Sequence, residues 1–156
     1  MAQRPKLQFN EVLRESHPDH PGWHEWHIAD KTRFNQGVLG TLLVRPEDGN
    51  KARMRMFPTR LHTNISDNIH GGIILSLIDI ALFAGSTVST GRDMKSGVTV
   101  EVNNHFVGAG DPSRPLDAVV EVVRETGRMI FARGTVVQDD NVVSSFSGIL
   151  RKIDRS

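Results

Sequence analysis

One segment constrains the fold more than any other. It runs Gly71-Gly-Ile-Ile-Leu-Ser-Leu-Ile-Asp-Ile-Ala-Leu-Phe-Ala-Gly85, apolar on nearly every side yet holding a single carboxylate, Asp79. Its length favours helix over strand. A helix that is apolar nearly all round belongs inside a fold or an interface. An ionised side chain buried there without partners costs several kcal/mol. Something must offset that cost, and chemistry is a leading candidate.

At about 100° per residue, Gly72, Ser76, Asp79 and Phe83 fall on one narrow face of this helix. The rest carries Ile73, Ile74, Leu77, Ile78, Ala81 and Leu82. The helix is therefore expected to bury most of its surface in a sheet and turn the Asp79 face toward a cleft. Its start, His70-Gly71-Gly72, leaves amides without intrahelical acceptors at the positive end of the macrodipole. Glycines there let a ligand approach the backbone. A carbonyl oxygen held by such amides is polarised, so a base or nucleophile and an oxyanion site lie on one short element.

The remaining elements follow from periodicity and turn signals. Residues 5–15 read as a short helix lined by Leu7, Phe9, Val12 and Leu13, and 16–22 as loop. Residues 38–45 and 51–57 read as a hairpin around the 46–50 turn. Residues 58–69 form a polar loop. The helix from 71 has Gly85 and Gly91 as candidate stops. Strands at 97–107, 115–125, 128–138 and 142–152 follow, with turns at 108–112, 126–127 and 139–141. Short connections pair strands antiparallel, which makes an α+β domain with one long helix on a curved sheet of five to six strands. The chain divides into an N-terminal arm, 1–35, and one domain, 36–156.

Composition narrows the function. With 156 residues, 38% hydrophobic and 24% charged, the chain suits one soluble globular domain. A net charge of +1 gives no argument for nucleic acid or an anionic membrane. No apolar run reaches the roughly 18 residues of a membrane span. The start, Met-Ala-Gln-Arg-Pro-Lys, lacks the apolar stretch of a signal peptide, so a cytoplasmic location is expected. The absence of cysteine excludes thiolate nucleophiles, disulfides and Cys-ligated zinc.

The string Asn64-Ile-Ser-Asp-Asn-Ile-His70-Gly71-Gly72, with Leu77-Ile-Asp79-Ile-Ala81 behind it, resembles the signature of hotdog-fold acyl-CoA thioesterases of the phenylacetate-pathway type. That pattern has Asn six residues before His-Gly-Gly and Asp nine residues after the His. The element order over roughly residues 37–152 is also similar to a hotdog domain. The resemblance implies that Asp79 is the catalytic carboxylate, as general base or nucleophile. It gives the Gly71 amide the role of polarising the thioester carbonyl, and Asn64 and His70 that of orienting water and substrate. A hydroxyl on the strand after the helix assists in this family; Thr99 matches that position, with Ser96 the alternative. Gly72, Ser76 and Phe83 would line the substrate cleft. The resemblance further implies a homodimer, assembled as a dimer of dimers, with the Asp helix and the oxyanion helix of one site coming from different subunits. No cofactor or metal is implied, since coenzyme A belongs to the substrate. The competing readings are a non-catalytic acyl-CoA-binding hotdog domain and a hotdog dehydratase, although the dehydratase Asp-x-Asn-Pro-x-His pattern is not found.

Other residues carry blander readings. His17, His20, His24 and His27 cluster, but His24-Glu-Trp-His27 is one residue short of the zinc-protease spacing, and Pro18, Pro21 and Gly22 break any helix before it. A surface loop is the expectation, with Trp23 and Trp26 packing the arm onto the domain or walling the pocket. Glu101, Asn103 and His105 share one face of a strand, either a solvated or interface face or, for some of them, lining the cleft with Thr99. His62 is expected in solvent. Arg124 and Arg128 flank a Thr-Gly turn, and Arg128 resembles positions that touch coenzyme A phosphates. No Gly-x-Ser-x-Gly elbow or Gly-x-Gly-x-x-Gly loop is present.

Overall fold

The structure is a computed structural model that describes residues 16–26, 30–94 and 96–153. The helix expected at 5–15, and His27, lie outside the described residues. Along the chain come β1 (His24–Glu25), α1 (Phe34–Leu39), β2 (Leu42–Pro46), β3 (Lys51–Met56), a 3-10 turn (Arg60–His62), α2 (Gly71–Thr90), β4 (Val98–Phe106), β5 (Leu116–Glu125), β6 (Met129–Gln138) and β7 (Asn141–Arg151). The strands form one antiparallel sheet in the order β1-β2-β3-β5-β6-β7-β4. The sheet thus has seven strands rather than five to six. The extra one is β1, where the arm adds two residues against Val44 and Leu43 of β2. One long helix packed against a single antiparallel sheet is the hotdog arrangement.

The inner sheet face and α2 make the core. Leu42, Val44, Met54, Met56, Leu116 and Leu150 come from the strands, and Leu77, Ile78 and Leu82 from the helix; none exceeds 1% exposure. Length and composition alone would let α2 cross a membrane, which corrects the expectation of no such run; here it is the core helix of the sheet. It does not stop at Gly85. That glycine lies mid-helix, where a Cβ would sit 2.7 Å from Val120 Cβ, so its missing side chain lets helix and sheet close together. The stop is Gly91, the C-cap, at φ +67 in the left-handed region.

The 38–45 strand expectation is corrected at its start. Val38 and Leu39 end α1, Gly40 (φ +73) caps it, and the strand begins at Leu42. The arm packs onto the domain through its tryptophans, Trp26 in the core cluster and Trp23 on the outer sheet face beneath Arg45 and Arg55. Trp23 and Trp26 are 6% and 4% exposed. The Arg45 and Arg55 guanidinium groups lie 4.4 and 4.7 Å from the Trp23 ring centroid. Arg55 also grips Asp117 with two bonds of 2.7 Å, and Arg53 bridges Glu47 and Asp117. The His17 and His20 rings meet at a tilt with centroids 5.1 Å apart, and His20 lies against Phe57 at 5.2 Å.

Candidate active site

The helix stripe opens as its periodicity required. Gly72, Leu75 and Asp79 are exposed, and Ser76 and Phe83 are partly so, while Ile74, Leu77, Ile78, Ala81 and Leu82 are buried. The premise of a buried Asp79 is therefore corrected: the carboxylate is exposed in the single chain. Most of the apolar surface around it goes to the sheet, and its own face is left uncovered.

Thr99 is brought to that carboxylate. Its hydroxyl donates to Asp79 Oδ1 at 2.6 Å, a short charge-assisted bond. A β-bulge makes this possible. Thr99 pairs with Leu150 and Glu101 with Ile149, so Val100 has no opposite number. The extra residue shifts the alternation. Thr99 then shares the helix-facing side with Val102, Asn104 and Phe106, while Glu101, Asn103 and His105 take the other face. The bulge thereby removes those three from any cleft shared with Thr99. Ser96, the alternative hydroxyl, instead points at the Ile153 carbonyl, 3.4 Å away.

The start of α2 leaves one amide free. His70 is the N-cap; its Nδ1 accepts from Gly72 N–H at 2.8 Å, and its carbonyl accepts from Ile73 and Ile74. The Gly71 N–H has no acceptor among the described residues. The Phe106 ring lies beside Gly71, with Cζ 3.3 Å from where a Cβ would be. Ser76 spends its hydroxyl on the Gly72 carbonyl, at 2.7 Å. Asn64 shapes its own loop: Oδ1 accepts from Ser66 and Asn68 N–H at 2.9 and 3.1 Å. No hydrogen bond links Asn64 or His70 to Asp79 among the described residues.

Arg128 is exposed in the β5–β6 turn. The adjacent Met129 pairs with Arg151, which pairs with Val98 next to Thr99. Two strand spacings, about 10 Å, therefore separate Arg128's neighbour from the Thr99 end of β4. His62 is a second residue whose environment the sequence misjudged. It is 3% exposed, with Nδ1 accepting from Thr59 N–H at 2.9 Å and Nε2 2.6 Å from the Val38 carbonyl oxygen. The only sequence signal was its place two residues before Asn64.

Gly71 and Asp79 lie eight residues apart on one helix, about 12 Å along its axis. A donor and an attacking group must each come within about 3 Å of the same carbonyl group. The two groups of one chain therefore cannot serve one carbonyl together.

No curated protein sequence matches the chain. Solved structures with the same fold do. The PaaI protein of the phenylacetic acid degradation operon of Escherichia coli is 22% identical, with TM-score 0.66 over 78% of this chain and 85% of that one. Thioesterase superfamily member 2 from Mus musculus is 17% identical, with TM-score 0.64 over 78% and 90%. Its zebrafish counterpart is 20% identical, with TM-score 0.67 over 80% and 90%. The thioesterase superfamily profile matches residues 67–145, the stretch from just before the helix cap to the middle of β7. That is just over half of the 156 residues, and the chain belongs to the thioesterase superfamily.

Proposed function

We propose that the chain hydrolyses an acyl- or aryl-acyl-coenzyme A thioester to the free acid and coenzyme A, in a site shared by two copies. The observation that carries the reading is the Thr99–Asp79 pair, open to solvent beside an edge strand, on a helix that begins with an unbonded Gly71 amide.

A second copy supplies what one chain lacks. The outer edge of β4 has no strand partner among the described residues, and Val98, Val100, Phe106 and Val107 are 42–58% exposed along it. A long apolar edge left bare invites pairing with another chain. Antiparallel pairing of β4 with its own copy is self-complementary, as two-fold symmetry demands. It would bring the α2 start of one chain toward Asp79 of the other.

The chemistry then needs little. Asp79 takes a proton from water as the water oxygen attacks the thioester carbonyl carbon, while Thr99 holds Oδ1 and leaves Oδ2 for the water. The Gly71 N–H of the second copy holds the oxyanion. Collapse of the tetrahedral intermediate breaks the C–S bond, and the proton passes to the thiolate of coenzyme A. Direct attack by Asp79, through an anhydride that water then cleaves, uses the same groups; oxygen-18 tracing under single turnover separates the two routes. Gly72, Ser76 and Phe83 line the acyl side. His70 and Asn64 orient the ligand, and Arg128 on the rim offers a cation for a coenzyme phosphate.

The test is a thiol-release screen across acyl- and aryl-acyl-coenzyme A substrates with wild type and Asp79→Asn. The expected result is turnover on at least one substrate, falling about a hundredfold or more in the variant with fold and assembly intact. Binding without turnover on every substrate would overturn hydrolysis in favour of a binding domain, and water addition to an enoyl thioester would make the chain a hydratase.

A further inference from the structure

We propose that His62 is a positioning residue, which sets the start of α2 and thus the Gly71 amide, and that it acts as a neutral ring with its proton on Nε2. The kinetic consequence rests on the thioesterase reading above; the geometry does not.

The tautomer follows from the partners. Nδ1 accepts the Thr59 N–H at 2.9 Å, so its lone pair is in use and it carries no proton. The ring proton is then on Nε2, which donates to the Val38 carbonyl at 2.6 Å. Both nitrogens are committed, and the ring is shut off from water at 3% exposure. An added proton on Nδ1 would set one donor against another. The opposite tautomer would also set oxygen against a lone pair at Val38.

The bonds run from this ring into the site. The His62 carbonyl accepts the His70 N–H at 2.8 Å. His70 is the N-cap: its ring takes the Gly72 N–H and its carbonyl begins the helical ladder. Between them the loop closes on itself, through the Thr63–Ile69 bridge and the Asn64 turn. The ring therefore ties α1, through Val38, to the residue before Gly71. A further main-chain tie, Ile69 N–H to the Gly110 carbonyl at 2.9 Å, holds the other side of the loop. That second tie is why loss of the ring should shift the helix start rather than release it. A donor displaced by about 1 Å is enough to cost orders of magnitude in rate.

Two arms test this on the full chain. Long-range proton–nitrogen NMR of the imidazole should show Nδ1 unprotonated and Nε2 protonated at neutral pH; the reverse tautomer, or an imidazolium, overturns the proposal. The second arm uses His62→Asn, which keeps an acceptor for Thr59, and His62→Gln, which keeps a donor for Val38. Both should fold and assemble, hold KM within about threefold, and lose at least about tenfold in kcat. The Gly71 amide resonance should move in both. Unchanged kcat per folded site with an unmoved Gly71 amide would mean that His62 only stabilises the loop, and the proposal fails. If one variant does not fold, the other and the wild-type tautomer decide. If no thioester is turned over by wild type, the functional reading falls, yet the tautomer and the Gly71 resonance still judge His62.

Discussion

Replacing Thr99 by Val keeps the size and β-branching of the side chain and deletes one interaction, the 2.6 Å hydrogen bond to Asp79 Oδ1. Thr99 is exposed in the single chain, and no other hydrogen bond from its side chain is present among the described residues. The fold should therefore barely notice: surface changes away from special features stay within about 0.5 kcal/mol. The site should notice more. Thr99 fixes the carboxylate so that its second oxygen meets the water, and a misplacement of about 1 Å at a reacting group costs on the order of a hundredfold, so the loss in rate should be about 10- to 100-fold. Without it the carboxylate turns freely, and the oxygen meant for water is no longer fixed. Thr99→Ser restores the hydroxyl and should recover most of the loss. The assay is steady-state thiol release on the best substrate of the screen, with melting temperature and assembly as controls. A Thr99→Val protein with wild-type kcat would refute the reasoning, because the closest polar contact of Asp79 would then have no part in turnover.

Two further perturbations test the frame around the site. Gly85→Ala should destabilise by about 1 kcal/mol: helix propensity gains about 1 kcal/mol, but forcing a methyl to within 2.7 Å of Val120 Cβ costs about 1–3. Adding Val120→Ala should cost less than the sum of the single changes, and chemical denaturation measures that coupling. Glu47 provides a pH test. Burial pushes its carboxyl upward, but hydrogen bonds and charge from Arg53 and Arg45 outweigh that and hold it below the ordinary value of 4.5. Its contribution is thus complete above about pH 4.5 and is lost as pH falls through the lowered folded-state value. Wild type should exceed Glu47→Gln in stability near neutral pH, and the gap should close in acid; a gap that stays constant down to pH 2 would contradict the assignment.

The parts of this fold set by local pattern were readable from sequence. The alternation in β5, β6 and β7 placed those strands, and the offset between His70 and Asp79 put cap and carboxylate on one helix. The open stripe of α2 followed from 3.6-residue periodicity alone. Properties set by distant partners were not readable. Gly85 looks like a helix stop until Val120 is seen packed against it. Asp79 looks costly because its sequence neighbours are apolar, although periodicity already turns its face away from the sheet. The Val100 bulge has no local signature, yet it decides that Thr99 faces Asp79 while Glu101, Asn103 and His105 face away. His62 reads as a polar loop residue because its partners are main-chain atoms of Val38 and Thr59, and any residue carries those.

The central claim is that one site is built from Asp79 of one copy and the Gly71 amide of another, and complementation tests it most directly. Gly71→Pro removes the N–H from the first helical position, where proline is tolerated, with its Cβ pressing on the far end of the Phe106 ring. His70, at φ −62 and ψ 136, already has the extended backbone that a following proline requires. Gly71→Pro and Asp79→Asn should each lose about a hundredfold or more. Unfolded together and refolded at equal amounts, they should regain about a quarter of wild-type turnover, because half the dimers are mixed and each mixed dimer holds one intact site. A mixture no more active than its two components, despite mixed dimers confirmed by native mass spectrometry, would contradict the account.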